Sequence, residues 1–161
     1  MKRGDASAKP KLAEAKDRRN QFAVEEYGRR VKERPTELPL KYKLGEMLIK
    51  VERYDEAIAE LQKSAGDPRY GARSRLALGK SFAAKGMPDM AVKELEKARQ
   101  GLGPQDDIWK DVTFNLAYIL EKTNKKDKAA AEYEKIVEAD IGYKGGEAMK
   151  RLEALKGAEA Q

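Results

Sequence analysis

The sequence is self-similar with a period of 34 residues. A leucine and a glycine are followed, 13 residues after the leucine, by an alanine and, four positions further on, by another leucine. In two successive copies these positions are Leu44, Gly45, Ala57 and Leu61, and then Leu78, Gly79, Ala91 and Leu95. A fixed period of this length is typical of helical hairpins that stack, because one hairpin cannot bury its apolar face alone. The period therefore restricts the chain to a repeat architecture.

A third copy keeps the internal spacing but begins 38 residues after the second. Its positions are Leu116, Ala117, Ala129 and Tyr133. The four extra residues are placed at 101–104, because the run Gly-Leu-Gly-Pro can lengthen a loop without disturbing either helix. A glycine inside a helix costs about 1 kcal/mol relative to alanine. Two glycines at equivalent positions therefore predict close helix packing, with Gly45 facing Ala57.

This pattern resembles the tetratricopeptide repeat, a helix–turn–helix unit of 34 residues. The matching residues are Leu44, Gly45, Leu48, Tyr54, Ala57, Leu61 and Pro68; then Leu78, Gly79, Phe82, Gly86, Ala91, Leu95 and Ala98; then Leu116, Ala117, Leu120, Ala129 and Tyr133. The early tryptophan of the family is missing from all three copies, and the third lacks the late proline. The resemblance implies an all-α fold, a right-handed superhelical α-solenoid of antiparallel helix hairpins.

The segments on either side of the three copies are also predicted to be helical. Ala23 and Tyr27 lie 34 residues before Ala57 and Leu61, so residues 21–33 match the second helix of a preceding repeat. Its first helix, near 10–19, lacks the Leu-Gly pair, which leaves either a degenerate helix there or one long helix from about 11 to 33. The missing half-repeat suggests that the chain was cut from a longer protein.

A C-terminal helix is predicted after the third copy. Gly145 and Gly146 break the chain, and Met149, Leu152 and Leu155 then recur with helical spacing. Such a helix would cover the apolar face of the last hairpin. The predicted organisation is 1–9 disordered, 10–35 an N-terminal helix or partial repeat, 36–70 repeat 1, 71–104 repeat 2, 105–142 repeat 3, 143–157 a capping helix and 158–161 a tail.

The composition excludes several classes of enzyme. The chain has no histidine and no cysteine, which excludes a Ser-His-Asp relay, a thiolate nucleophile and a thiolate or imidazole metal site. We therefore expect no catalytic residue, no metal and no cofactor. No secretory signal and no apolar run of bilayer length are visible. The chain is expected to be soluble, and a cytoplasmic location is favoured without being determined.

Positive charge is concentrated near the N-terminus. Residues 1–35 contain 11 Lys and Arg and 6 Asp and Glu, a net charge of +5, whereas residues 36–161 have a net charge of +1. A basic arm can contact phosphate or an acidic surface. A solvated helix face with local ion pairs is the favoured interpretation, because acidic residues are interleaved and no aromatic platform is present. Nucleic-acid contact through this arm is accordingly disfavoured.

The resemblance also implies a binding surface, because the first helix of each such repeat lines a concave groove. The implied groove residues are Tyr42, Glu46, Ile49, Lys50, Arg73, Leu76, Lys80, Phe114, Asn115, Tyr118 and Lys122. Phe114 and Tyr118 are the expected apolar anchors, and Arg73 or Lys80 is expected to bind an acid. The alternative is that Phe114 and Tyr42 pack between helices and that the charges are merely solvated.

One subclass of the family is argued against. Its chaperone-binding members hold a C-terminal carboxylate with Lys, Asn and Arg side chains. The corresponding positions here are Tyr42, Glu46, Ala77, Asp111 and Asn115. Glu46 and Asp111 would repel a carboxylate, so no chaperone carboxylate clamp is expected.

The leading hypothesis is a non-catalytic scaffold that binds a protein or peptide in the groove. The second hypothesis is an assembly module that associates with itself, or within a larger protein, through the ends of the solenoid. The identity of the partner, the pathway and the oligomeric state stay open, because solenoids of one kind serve many partners.

Overall fold

A computed structural model describes residues 8–159 of the chain, with side chains described for 9–157. Over these residues the chain forms eight α-helices, one 3₁₀ turn (Tyr143–Gly146) and no strand, which confirms the predicted all-α solenoid. The helices are α1 (Ala8–Glu33), α2 (Leu38–Lys50), α3 (Tyr54–Ser64), α4 (Gly71–Ala84), α5 (Pro88–Arg99), α6 (Asp107–Lys122), α7 (Lys126–Ala139) and α8 (Glu147–Glu159). None of these described helices is long and apolar enough to cross a bilayer.

Two of the predicted segments lie partly outside the described residues. Residues 1–7 of the predicted disordered segment 1–9 are not described, and its last two residues already belong to α1. Residues 160–161 of the predicted tail 158–161 are not described either.

The helices pack in the order in which they follow one another. Helices α2 and α3, α4 and α5, and α6 and α7 form three antiparallel hairpins, and each hairpin also packs on the helix that follows it. The first helices of the hairpins, α2, α4 and α6, lie side by side. This arrangement brings side chains from three separated parts of the sequence onto one face.

Glycine in the first helix of a hairpin makes room for a leucine of the second. A Cβ atom at Gly45 would lie 2.5 Å from Cγ of Leu61, and one at Gly79 would lie 2.7 Å from Cγ of Leu95. The predicted partner of Gly45 was Ala57, but the nearest side chain is that of Leu61, one turn further along α3. Leu61 lies there for a steric reason, since a fully buried leucine needs the volume that the missing side chain of Gly45 leaves.

Helix α1 runs unbroken from Ala8 to Glu33, so the long-helix alternative describes it and no separate first helix forms. Its residues 9–19 are all exposed, and it packs against the rest of the chain mainly on α2. Ala23 and Tyr27 are half-buried, whereas the equivalent Ala57 and Leu61 are completely buried. The face of α1 that would meet a hairpin partner is therefore only partly covered.

Helix α8 covers the other end of the solenoid. Ala148, Leu152 and Leu155 are buried in the core, and α8 packs on α7. The chain reverses before it at Gly145 and Gly146, whose φ angles of 67° and 80° lie in the region that favours glycine. The outward-facing residues of α8 are mainly polar or small, so this end is closed.

A buried pair of serines joins the first hairpin to the second. The Ser64 hydroxyl donates to the Leu61 carbonyl oxygen at 3.1 Å, and the Ser74 hydroxyl, 2.8 Å from Ser64 Oγ, therefore donates to Ser64. Neither serine has exposed surface. Ser64 keeps a partner when Ser74 is removed, but the Ser74 hydroxyl loses its acceptor when Ser64 is removed.

We expect the substitution Ser64→Ala to lower the free energy of unfolding by about 1–3 kcal/mol, the cost of burying an unpaired hydroxyl. Ser74→Ala should cost less, and the double substitution should cost about the same as Ser74→Ala alone. Urea unfolding of the three variants measures these differences. Equal costs for the two single substitutions would contradict this directional hydrogen bond.

Candidate functional site

The first helices of the three hairpins enclose a cavity on their shared face. Its volume is about 300 Å³, and we call it the basic cavity. It is lined by Tyr42, Glu46, Ile49, Lys50, Arg73, Leu76, Ala77, Lys80, Ile108 and Asp111. The structure thus brings seven of the eleven predicted groove residues together at one site.

Tyr42 forms a wall of the basic cavity and is not a free aromatic anchor. Only 6% of its surface is exposed, and its ring centroid lies 5.1 Å from that of Tyr70. Its hydroxyl donates to Oε1 of Glu46 at 2.7 Å. Burial raises the pKa of Tyr42, and the hydrogen bond to the Glu46 carboxylate raises it further, because both disfavour a phenolate.

Three cations line the basic cavity without an ion-pair partner among the described residues: Lys50, Arg73 and Lys80. Arg73 and Lys80 project from α4, two turns apart. The groove partly removes the Lys80 ammonium from water, which lowers its pKa, while the nearby Asp111 favours the charged form. A cation held in this way gains from any anion that enters the cavity.

The two acids of the basic cavity are already engaged by the chain itself. Glu46 accepts hydrogen bonds from the Tyr42 hydroxyl and from Nζ of Lys43, the latter at 3.0 Å. Asp111 accepts a hydrogen bond from the Tyr143 hydroxyl and pairs with Nζ of Lys144 at 3.4 Å. The negative charge at this site is therefore largely balanced from within, whereas much of the positive charge is not.

A second cavity, which we call the aromatic cavity, lies on the same face between α4 and α6. Its volume is also about 300 Å³. It is lined by Lys80, Ala83, Pro88, Asn115, Tyr118, Ile119, Lys122 and Thr123. Tyr118 is 37% exposed, with the Arg151 guanidinium 4.9 Å and the Lys122 ammonium 5.4 Å from its ring centroid. Lys80 lines both cavities, so the two form one continuous surface.

Phe114 lies outside both cavities, unlike the other predicted anchor. It is half-buried, and its ring packs against those of Tyr133 and Tyr143 at centroid distances of 5.8 Å each. The Lys144 ammonium lies over the same ring at 4.6 Å. The segment that precedes α8 therefore covers Phe114.

Several residues of this face were missed by sequence reasoning. Tyr70 stacks on Tyr42, Ile108 lines the basic cavity, and Tyr143 with Lys144 covers Phe114. Tyr70, Tyr143 and Lys144 belong to connections between helices, where the repeat pattern carries no information. The available signal was an aromatic residue in each of two connections otherwise rich in turn residues, Tyr70 directly before α4 and Tyr143 four residues before α8.

Comparison with known proteins agrees with this architecture. A family model of the tetratricopeptide repeat matches residues 111–140, which include most of α6 and all of α7. Over these residues the chain matches one tetratricopeptide repeat. No curated protein sequence matches it.

Several solved structures have the same fold. The crystal structure of MamA is similar with a TM-score of 0.75 at 18% identity, over 99% of this chain and 87% of MamA. YrrB, a TPR protein with an unusual peptide-binding site, is similar with a TM-score of 0.67 at 17% identity, over 89% of this chain and 71% of the YrrB chain. The first TPR of Spaghetti (RPAP3), bound to the HSP90 peptide SRMEEVD, is similar with a TM-score of 0.67 at 17% identity, over 77% of this chain and 94% of the RPAP3 chain.

Proposed function

We propose that the chain is a non-catalytic scaffold that binds a peptide or protein segment along the concave groove of α2, α4 and α6. The observation that carries the proposal is the continuity of the basic and aromatic cavities through Lys80. Two adjoining cavities of about 300 Å³ each offer room for several side chains of one extended segment. Tyr118 and Arg73 are of the residue types that contribute most to interface energy.

Two of the similar proteins support the proposal by analogy. RPAP3 is bound to a peptide in its structure, and YrrB has a peptide-binding site. At 17% identity these likenesses concern the fold, so the groove residues of the present chain rest on its own geometry. The prediction that the chain has no chaperone carboxylate clamp stands beside this proposal.

The alternative, association through the solenoid ends, is favoured by one feature of α1. Leu12 and Phe22 are 73% and 68% exposed there, and Tyr27 is only half-buried. The closed end at α8 presents mainly polar side chains, so stacking of one copy's α8 on another copy's α1 lacks a second apolar face. Self-association would therefore use α1.

Site-specific photo-crosslinking tests the groove proposal. With benzoylphenylalanine in place of Lys122, whose side chain lines the aromatic cavity, we expect adducts with a partner from an extract of the source cells. The matched control carries the same group in place of Lys93, an exposed residue of α5 outside both cavities. We expect the control to give no such adduct, because α5 does not line the groove.

The outcomes of this experiment separate the two functions. Adducts from position 93 with none from position 122 would place the binding surface elsewhere and overturn the proposal. A crosslinked species of twice the protein's mass, formed by the purified protein alone, would instead favour self-association.

A further inference from the structure

The charge of the groove differs from that of the sequence around it. Residues 36–161 have a net charge of only +1. A shallow pocket beside the basic cavity shares Tyr42 and Arg73 with it and adds Lys43 and Arg69. The two together nevertheless hold five cations, Lys43, Lys50, Arg69, Arg73 and Lys80, against two acids, Glu46 and Asp111. Folding has therefore collected positive charge on the face that the proposed function assigns to binding.

Most of this positive charge is available to a ligand. Lys43 is paired with Glu46, but Lys50, Arg69, Arg73 and Lys80 form no ion pair with any residue that the structure describes. Other cations of the molecule are paired with acids of a different helix. Arg75 of α4 pairs with Glu94 of α5, and Arg99 of α5 pairs with Glu132 of α7.

Apolar side chains lie between these cations. Ile49, Leu76 and Ile108 line the same cavity as Arg73 and Lys80. A ligand that fills the cavity must therefore offer an apolar group beside its negative charge, because apolar contact area supplies much of the free energy of association. A peptide with an aliphatic side chain next to acidic ones meets both requirements.

We propose that the groove recognises an acidic peptide segment, whose side-chain carboxylates pair with Arg73 and Lys80 and whose neighbouring aliphatic side chain enters the basic cavity. This inference rests on the proposed function and adds the chemical class of the ligand. Arg73 presents a planar guanidinium suited to bidentate carboxylate binding, and Lys80 contributes a point charge two turns away.

A nucleic acid fits the same surface less well. Its closely spaced phosphates would meet the carboxylates of Glu46 and Asp111 in the cavity. Tyr118 is the one exposed aromatic ring of the described groove lining, and a single ring gives no platform for successive bases. The acidic residues of a peptide can be spaced by uncharged ones, so that each carboxylate meets a cation and avoids those two acids. Charge spacing therefore favours a peptide.

The experiment uses a fluorescein-labelled peptide, Gly-Glu-Glu-Leu-Glu-Glu-Gly with an amidated C-terminus, and the full chain. Fluorescence polarisation at an ionic strength of about 0.1 M is expected to show binding at least about tenfold tighter than that of the counterpart with Gln in place of Glu. The amide removes the terminal carboxylate, so that binding reports on side-chain carboxylates. Replacing Leu by Ala in the peptide should weaken binding as well.

Matched variants locate the effect. The double substitution Arg73→Gln and Lys80→Gln should weaken binding of the Glu peptide by about tenfold or more, because it removes both pairing groups. Lys93→Gln with Lys128→Gln removes the same charge from exposed positions outside the groove lining. This control should change the affinity by less than about twofold, since charges beyond a Debye length of about 10 Å are largely screened.

Three outcomes would overturn the inference: equal affinity for the Glu and Gln peptides, equal weakening by the two double variants, or tighter binding of an oligothymidylate of the same charge than of the Glu peptide. None of these removes the proposed function. Crosslinks from position 122 to a neutral or basic segment would preserve groove binding while excluding an acidic ligand.

Discussion

Replacing Gly79 by valine is expected to lower the free energy of unfolding by about 3 kcal/mol, at the upper end of the usual cost of overpacking a core. The Cβ atom alone would lie 2.7 Å from Cγ of Leu95 and 3.3 Å from the Ala91 carbonyl oxygen. Leu95 is completely buried, so it cannot turn away into solvent. Both helices of the second hairpin would have to separate, and the first helix carries Arg73 and Lys80.

Urea unfolding followed by circular dichroism measures this loss, and Gly28→Ala is the matched control. Gly28 lies in the interior of α1, and a Cβ there would meet no atom within 4 Å. The control should therefore raise the free energy of unfolding by about 0.5–1 kcal/mol through helix propensity alone. Unchanged stability of the Gly79 variant would show that the hairpin can repack around a larger side chain.

Truncating Tyr133 to alanine should lower the free energy of unfolding by at least as much as the Gly79 substitution does. The expected decrease is about 3–5 kcal/mol, the range for removing a large buried aromatic side chain. Tyr133 has no exposed surface and takes the position that Leu61 and Leu95 occupy in the other hairpins. Its ring also supports Phe114 edge-on, at a centroid distance of 5.8 Å. The resulting cavity would loosen α6 against α7.

The Tyr133→Phe variant separates packing from hydrogen bonding in the same assay. The Tyr133 hydroxyl donates to Oε2 of Glu121 at 2.8 Å, and Glu121 is also bound by Arg151 at 3.1 Å. Glu121 would keep that second partner, so the loss should be only about 1 kcal/mol. A loss as large as that of the alanine variant would mean that the hydroxyl, and not the ring, holds α6, α7 and α8 together.

The hairpins were predictable because their information is local and repeated. Leu44, Gly45 and Leu61 recur at a fixed period, and the period alone defines two helices and their approach. The choice between Ala57 and Leu61 as the nearest neighbour of Gly45 was not predictable in this way. It depends on the tilt of α3 against α2, which the spacing of residues does not contain.

The candidate site was likewise predictable only where repeat positions determine it. Residues of α2 and α4 such as Glu46 and Arg73 were placed on one face by their repeat positions, and the structure brings them together. Phe114 has an equally suitable repeat position but is covered by Tyr143, which reaches it from a connection after α7. The pairing of Asp111 with Tyr143 likewise joins residues 32 positions apart, which no local pattern encodes.

The ordered packing of the helices has a consequence for how the molecule forms. Helices α2 to α7 each pack mainly on the helix before and the helix after. Contacts between distant parts of the chain are few in such a topology, and low contact order is associated with folding in microseconds to milliseconds. The hairpin of α2 and α3 has its own buried leucine in place without any residue of α6 or α7. Folding can therefore follow synthesis, one hairpin at a time, as the chain leaves the ribosome.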